Sequence, residues 1–375
     1  MFLAWREIAF ARVRFGLMAA VVGLIAILVV VLSGLSSGLV IDGVSGLMRS
    51  PVQAVSFAAG TTTDSAFTRS AVTADQRDAW AEQPGITHAE LLGVSIVNAH
   101  DGDTPVDLTL FGVQQGGFVE PPAAEGTPLA GSDEVLLSAT ARDAGVELGD
   151  TITLDHLGTA LKVVGFTEDQ RTFGHVDIGY LPLATWQAVH VGVRPGQQAD
   201  ATDLDEASVV ALAGPAAKAG DLSAGDAAAG TDSRTIEATF ASSPGYSAET
   251  MTMSLIKAFL YAISALVVGA FFTLWTVQRT RELTVMRAMG ASTRYLVRDG
   301  LLQSVILLVA AVGGGVVLGL GLGALLSGTA MPFQLETAPV LTGAALLTVL
   351  GLLGAAVSTV RIAAVDPLTA LGENR

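Results

Sequence analysis

Cysteine is absent from this chain of 375 residues, which excludes a disulfide framework, thiol chemistry and cysteine metal sites. An exported domain without disulfides must be held by its own hydrophobic core. Lysine is scarce too: only Lys162, Lys218 and Lys257 occur, and none precedes Ser or Thr. The phosphate-binding loop of ATPases ends in Lys-Ser or Lys-Thr after a Gly-rich turn, so the chain carries no such ATP site. ATP-driven work has to come from a partner. The histidines, His88, His100, His156, His175 and His190, are scattered, without metal spacing and without a His-Glu-x-x-His motif. No paired nucleophile and base, metal motif or cofactor loop can be placed, which argues against an enzyme.

Charge is the other shortage. Charged residues make up 15% of the chain and hydrophobic ones 51%, whereas soluble domains carry about 25% charged residues. The charge-free runs are long. A hydrocarbon core of ~30 Å needs ~20 helical residues, and four stretches reach that length: 15–41, 258–277, 300–327 (its apolar part centred on 301–326) and 337–360. Pro339 stands near the start of the last run, where proline is tolerated. The first run could be read as a cleaved signal peptide. Its apolar length exceeds the ~7–15 residues of a signal core, and no clean Ala-x-Ala site follows, which favours an anchor.

The remaining charges sort by side. Residues 1–14, 278–299 and 361–375 together carry +5, residues 42–257 carry −19, and Glu336 in the short loop 328–336 adds −1. Basic segments stay in the cytoplasm. The expected topology therefore places both termini and the 278–299 loop inside the plasma membrane, with one large acidic domain, 42–257, outside. An acidic outer domain disfavours nucleic acid as a partner. Residues 1–14, with Trp5 among arginines, are expected to form an amphipathic helix at the inner surface of the lipid.

Within 42–257 the pattern predicts a mixed α and β domain. Strands are expected over 52–57, 86–97, 106–113, 133–138, 151–154 and 161–166, with a helix over 73–83 capped by Thr73. Residues 195–233, rich in Ala, Gly, Asp and Ser, are expected to form a surface lobe or long loop without a core. Gly34 and Gly38, and Gly315, Gly319 and Gly323, repeat at four-residue intervals inside predicted spans, a spacing that lets helix backbones approach closely.

The loop 278–299 predicts two short helices, stopped by a left-handed Gly290 and restarted with Ser292 or Thr293 as the cap. Its segment Arg281-Glu-Leu-Thr-Val-Met-Arg-Ala-Met-Gly-Ala-Ser292 resembles the Arg-Glu…Arg-Ala-Leu-Gly-Ala-Ser pattern of permeases of the MacB, FtsX and LolC type. So do the tail Arg361-Ile-Ala-Ala-Val-Asp-Pro-Leu-Thr-Ala370, Gly149-Asp150, Val163-Val-Gly165 and Tyr180-Leu-Pro182. The resemblance implies an α-helical membrane protein with four transmembrane helices and a mixed α+β extracytoplasmic domain between helices 1 and 2. It implies a homodimer working with two copies of an ABC ATPase subunit that supplies ATP and Mg. It also implies that Arg281, Glu282, Met286, Arg287, Met289 and Gly290 couple to that ATPase, the plainer reading being a solvated basic loop. The chain carries no intrinsic cofactor on this reading.

Leu3-Ala-Trp-Arg-Glu-Ile8 and Val31-Leu-Ser-Gly-Leu-Ser-Ser-Gly38 resemble the haem-exporting permeases of Gram-positive bacteria, which implies haem as the transported substrate. Groups able to ligate iron or hold propionates gather in sequence around the outer ends of the first two helices: Met48, Arg49, Tyr246, Glu249, Met251 and Met253. These are the candidate haem-binding residues. Met251 and Met253 also suit plain packing, and Glu249 suits a first-turn carboxylate. Export of another amphipathic cargo (lipid, peptide or drug) and an FtsX-like signalling role are the alternatives.

Overall fold

A computed structural model describes residues 12–197, 204–278, 285, 289–329 and 331–363. The chain divides into two compact units, one of residues 1–38 with 251–375 and one of Leu39–Thr250. Four helices are long and apolar enough to cross a membrane: α1 (Arg12–Met48), α5 (Tyr246–Gln278), α6 (Thr293–Leu326) and α7 (Thr337–Ala363). Between the first two lies an α/β domain, giving the expected fold class. α1 and α5 overrun their charge-free runs. α1 continues to Met48 through a non-helical Val44 (φ −145°, ψ 16°), and α5 starts at Tyr246.

The helical unit packs around Phe15, Met18, Val22 and Val29 of α1, Val268, Phe272 and Trp275 of α5, and Leu308 and Val312 of α6. Small residues set the spacing here. A Cβ on Gly315 would lie 2.5 Å from the Gly23 carbonyl and 2.6 Å from Ala26, and one on Gly319 would lie 2.8 Å from Val30. Those glycines are where α6 meets α1. At the other end of α5, Gly290 takes the left-handed conformation (φ 98°) and Ser292 caps α6, its Oγ accepting from the Tyr295 N–H at 3.3 Å.

The second unit is built on a branched sheet. Its longer strands are β1 (Ala54–Ala58), β2 (His88–Asp101), β3 (Thr104–Val113), β4 (Glu134–Leu137), β5 (Thr151–Leu154), β6 (Ala160–Phe166), β7 (Val176–Pro182), β8 (Val209–Ala213) and β9 (Thr231–Thr235). β2 belongs to two sheets at once. Its first half pairs with β8, which continues through β1 to β9. Its second half pairs with β3, and the path runs on through β7, β4 and β6 to β5, which returns to β2 and closes a ring. β3 with β7 and β4 with β6 are parallel; the other pairs of long strands are antiparallel.

Alternation along these strands feeds two cores. Leu108, Leu110, Val135, Leu137, Ile152, Leu161 and Val163 join one cluster with Trp186. Phe111, Leu136, Ile178, Tyr180 and Val209 join the other with Phe57, Phe67 and Phe173. Helices α2 (Ala74–Ala81) and α3 (Leu183–His190) cover the sheet, α2 starting in a capping box in which the Thr73 N–H donates to Gln76. Thr73 is thus the cap that its sequence suggested.

One expectation fails. Residues 204–233 do not form a loose lobe: β8 is buried along its whole length between β1 and β2, followed by the short helix Pro215–Ala219, α4 (Ser223–Ala229) and β9. The missing apolar volume comes from elsewhere in the chain. Trp80 of α2 is buried against Gly225, where an added Cβ would come within 2.1 Å of the indole, and its N–H donates to Thr231 Oγ1 at 3.0 Å. Small residues in α4 are what let a large aromatic fill that layer. Residues 198–203 of the same stretch lie outside the described residues.

Candidate functional site

A polar network of the second unit joins the end of α1, the start of α5 and the segment 169–175. That segment meets α1 almost residue by residue. Asp169 pairs with the Arg49 guanidinium at 2.7 Å, and the Gln170 amide donates to Asp42 Oδ1 at 2.9 Å. Arg171 donates to the Arg49 carbonyl at 3.1 Å, and the Thr172 N–H to Ser45 Oγ at 2.9 Å. The Gly174 N–H donates to the Gly43 carbonyl at 2.9 Å. Phe173 points the other way, fully buried against Phe67 and Phe111.

The segment ends in a two-residue turn. Phe173 pairs with Val176, and between them Gly174 and His175 both have positive φ, 64° and 65°. Two consecutive positive-φ residues make a type I′ hairpin turn, whose twist matches that of the flanking strands. Histidine occupies a left-handed position only occasionally. Here the turn places the imidazole between two carboxylates: Nδ1 lies 2.9 Å from Asp42 Oδ2 on α1, and Nε2 lies 3.1 Å from both oxygens of Glu249 on α5. A neutral imidazole has one N–H to donate, whereas the protonated ring can donate to both acids.

Asp177, two residues on, accepts from the Thr140 hydroxyl. Burial holds its carboxyl above the ordinary carboxylate range, with Asp42 and Asp143 pushing the same way and the Thr140 and Ser138 hydroxyls opposing.

The sequence-derived candidates fall unevenly around this network. Arg49 and Glu249 are members of it. Met48 is exposed at the end of α1, and Tyr246 packs at 6.3 Å between ring centroids on Phe240. Met251 is exposed and Met253 half-buried, both in the helical unit. Asp42 and Gln170 had no mark in the sequence. His175 looked like any scattered histidine, and its Gly174-His175 turn was the one available signal. Among the described residues, no three His, Asp or Glu side chains gather in a geometry that could hold a metal ion. Of the coupling candidates, Arg281, Glu282, Met286 and Arg287 lie outside the described residues, and Met289 is exposed beside Gly290.

Comparison with known proteins adds a family likeness. Residues 254–367 match the model for the FtsX-like permease C-terminal domain. A Staphylococcus haemolyticus protein named as a hemin transport system permease, HrtB, is 25% identical over 99% of both chains. Its namesake in Staphylococcus epidermidis is 22% identical over 99% of both. An uncharacterised ABC transporter permease of Mycobacterium bovis is 24% identical over 99% of both. Among solved structures, the periplasmic region of MacB from Actinobacillus actinomycetemcomitans aligns at 13% identity and a TM-score of 0.35, over 53% of this chain and 94% of that one. That likeness is too remote to add to the fold described above. Its segment 254–367 is thus similar to the C-terminal domain of FtsX-like permeases, and its four long apolar helices fit a multi-pass membrane protein.

Proposed function

We propose that this permease exports haem from the membrane, driven by ATP that a separate ABC ATPase subunit hydrolyses. The observation that carries the reading is the end-to-end similarity to relatives named as hemin permeases, which spans the outer domain as well as the helices. Two permease copies would work with two ATPase subunits, with both termini and the 278–299 loop in the cytoplasm. The charge distribution supports that orientation.

Met48, Arg49, Tyr246, Glu249, Met251 and Met253 remain the proposed haem-binding residues. The network favours Glu249 and Arg49 among them and brings an imidazole, His175, to the same place. Carboxylate, phenolate, thioether and imidazole groups suit haem iron, and guanidinium suits its propionates. Arg49 and Glu249 are engaged with Asp169 and His175 in this structure, so haem would have to compete with those contacts.

A haemin titration of the full chain in detergent, followed by the Soret band, tests this. The expected result is a saturable band at about one haem per subunit or per dimer, weakened about tenfold by Glu249→Ala or Met253→Ala. A saturable band unchanged in both variants would reject the site. Absence of a specific band would reject haem and leave the permease with another amphipathic cargo.

A further inference from the structure

Lys257 is the one basic residue between Arg234 and Arg279, and it lies on α5 within the helical unit. Its ammonium donates to Ser36 Oγ of α1 at 3.2 Å, and the side chain is part-buried. Ser36 stands five residues inside the charge-free run that ends at Ile41. Among the described residues no carboxylate comes within ion-pair distance of Lys257. An ammonium carries three donors and is strongly hydrated in water. Held at a membrane helix with a serine as its partner, it is costly, and such residues face bundle interiors or cavities and mark functional sites.

The surroundings extend the polar surface. Ser33 is one turn from Ser36 on α1, and Tyr261 is one turn from Lys257 on α5. A Cβ on Gly343 of α7 would lie 2.7 Å from Val29 Cγ1, 3.1 Å from the Tyr261 hydroxyl and 3.9 Å from Ser33 Oγ, so α7 packs closely on α1 and α5 there. Ser33 is buried in that contact, which leaves Ser36 and the half-buried Tyr261 as the hydroxyls on the lysine's side. On α5, Leu255, Ile256 and Phe259 are exposed around the lysine, an apolar apron beside one cation. That pairing matches an amphipath with an acidic end.

We infer that Lys257, with Ser36 and Tyr261, is the binding site for the carboxylate of an amphipathic molecule taken from the membrane. The ammonium supplies the counter-charge, and the hydroxyls supply donors to the second oxygen. Where the cargo is haem, an inference resting on the function proposed above, the site takes a propionate. The same chemistry would accept a lipid phosphate, so the test separates the two.

Full-length wild type, Lys257→Met and Lys257→Arg are titrated in phosphatidylcholine nanodiscs with haemin and with haemin dimethyl ester. Wild type is expected to bind haemin about tenfold tighter than the ester. Lys257→Met should lose that preference while binding the ester unchanged, and Lys257→Arg should keep it. Equal discrimination by wild type and Lys257→Met overturns the site. If wild type binds neither pigment, the haem reading fails by itself, and a spin-labelled long-chain fatty acid becomes the probe. Immobilisation of its label by wild type but not by Lys257→Met supports the site, and equal behaviour overturns it. A lysine-dependent preference for phosphatidylglycerol nanodiscs, with the carboxylate probes indifferent to the substitution, overturns it in favour of a lipid headgroup.

Discussion

Asp177 shows how a single buried acid ties the outer domain to pH. Its folded carboxyl is held above the ordinary range chiefly by burial, so between the unfolded and folded values the folded state binds the proton better. Stability then falls as pH rises through that window, and at neutral pH the full penalty is present. Asp177→Asn keeps an acceptor for Thr140 and removes the charge. The expected outcome is a thermal midpoint about 2 °C higher at pH 7, on the order of 0.5–1 kcal/mol. The gain should shrink as the pH is lowered toward the folded value. Tryptophan fluorescence of the full chain in detergent measures it, and a gain that persists undiminished at acid pH would contradict the burial account. None of this was visible in the sequence, because Asp177 differs from other acids only in what the fold packs around it. Glu249 was legible, being an acid beside an apolar run. Its partner His175 was not.

Among the elements, glycine position separates contact from exposure. Gly319 on α6 has no room for a Cβ against Val30, whereas a Cβ on Gly313 of the same helix would meet nothing within 4 Å. Gly319→Leu should therefore cost about 1–3 kcal/mol by overpacking and lower the thermal midpoint or the folded yield, while Gly313→Leu leaves both unchanged. Equal effects at the two positions would contradict the α1–α6 contact. The four-residue spacing made this interface legible, although spacing alone does not name the facing helix. Strands 88–101, 104–113 and 160–166 were legible from alternation and turn residues. The stretch 204–233 was misread because its own residues are too small to fill a core, and the volume that completes it belongs to Trp80, more than a hundred residues earlier.

For the molecule as a whole, the proposed coupling to an ATPase is the property to disturb. If the 278–299 segment docks on that partner, Arg287→Glu with Met286→Asp should weaken association by about 1.5–3 kcal/mol, the scale of one buried apolar side chain, or roughly 10- to 100-fold. Co-purification of the two subunits reads this directly, and an intact complex with full ATPase activity would refute the docking. By itself the sequence determined the membrane class, the four spans and the large inserted domain. Those rest on composition, run length and charge, which are local properties of the chain. Tertiary structure alone decided that β2 serves two sheets and that residues 169–175 clasp the end of α1. It also decided that His175 stands between Asp42 and Glu249, and that Lys257 meets Ser36. Apart from the β2–β3 hairpin, each of these joins residues 50 or more positions apart, and contacts of that range follow from how strands pair and helices cross, which no short window of sequence records.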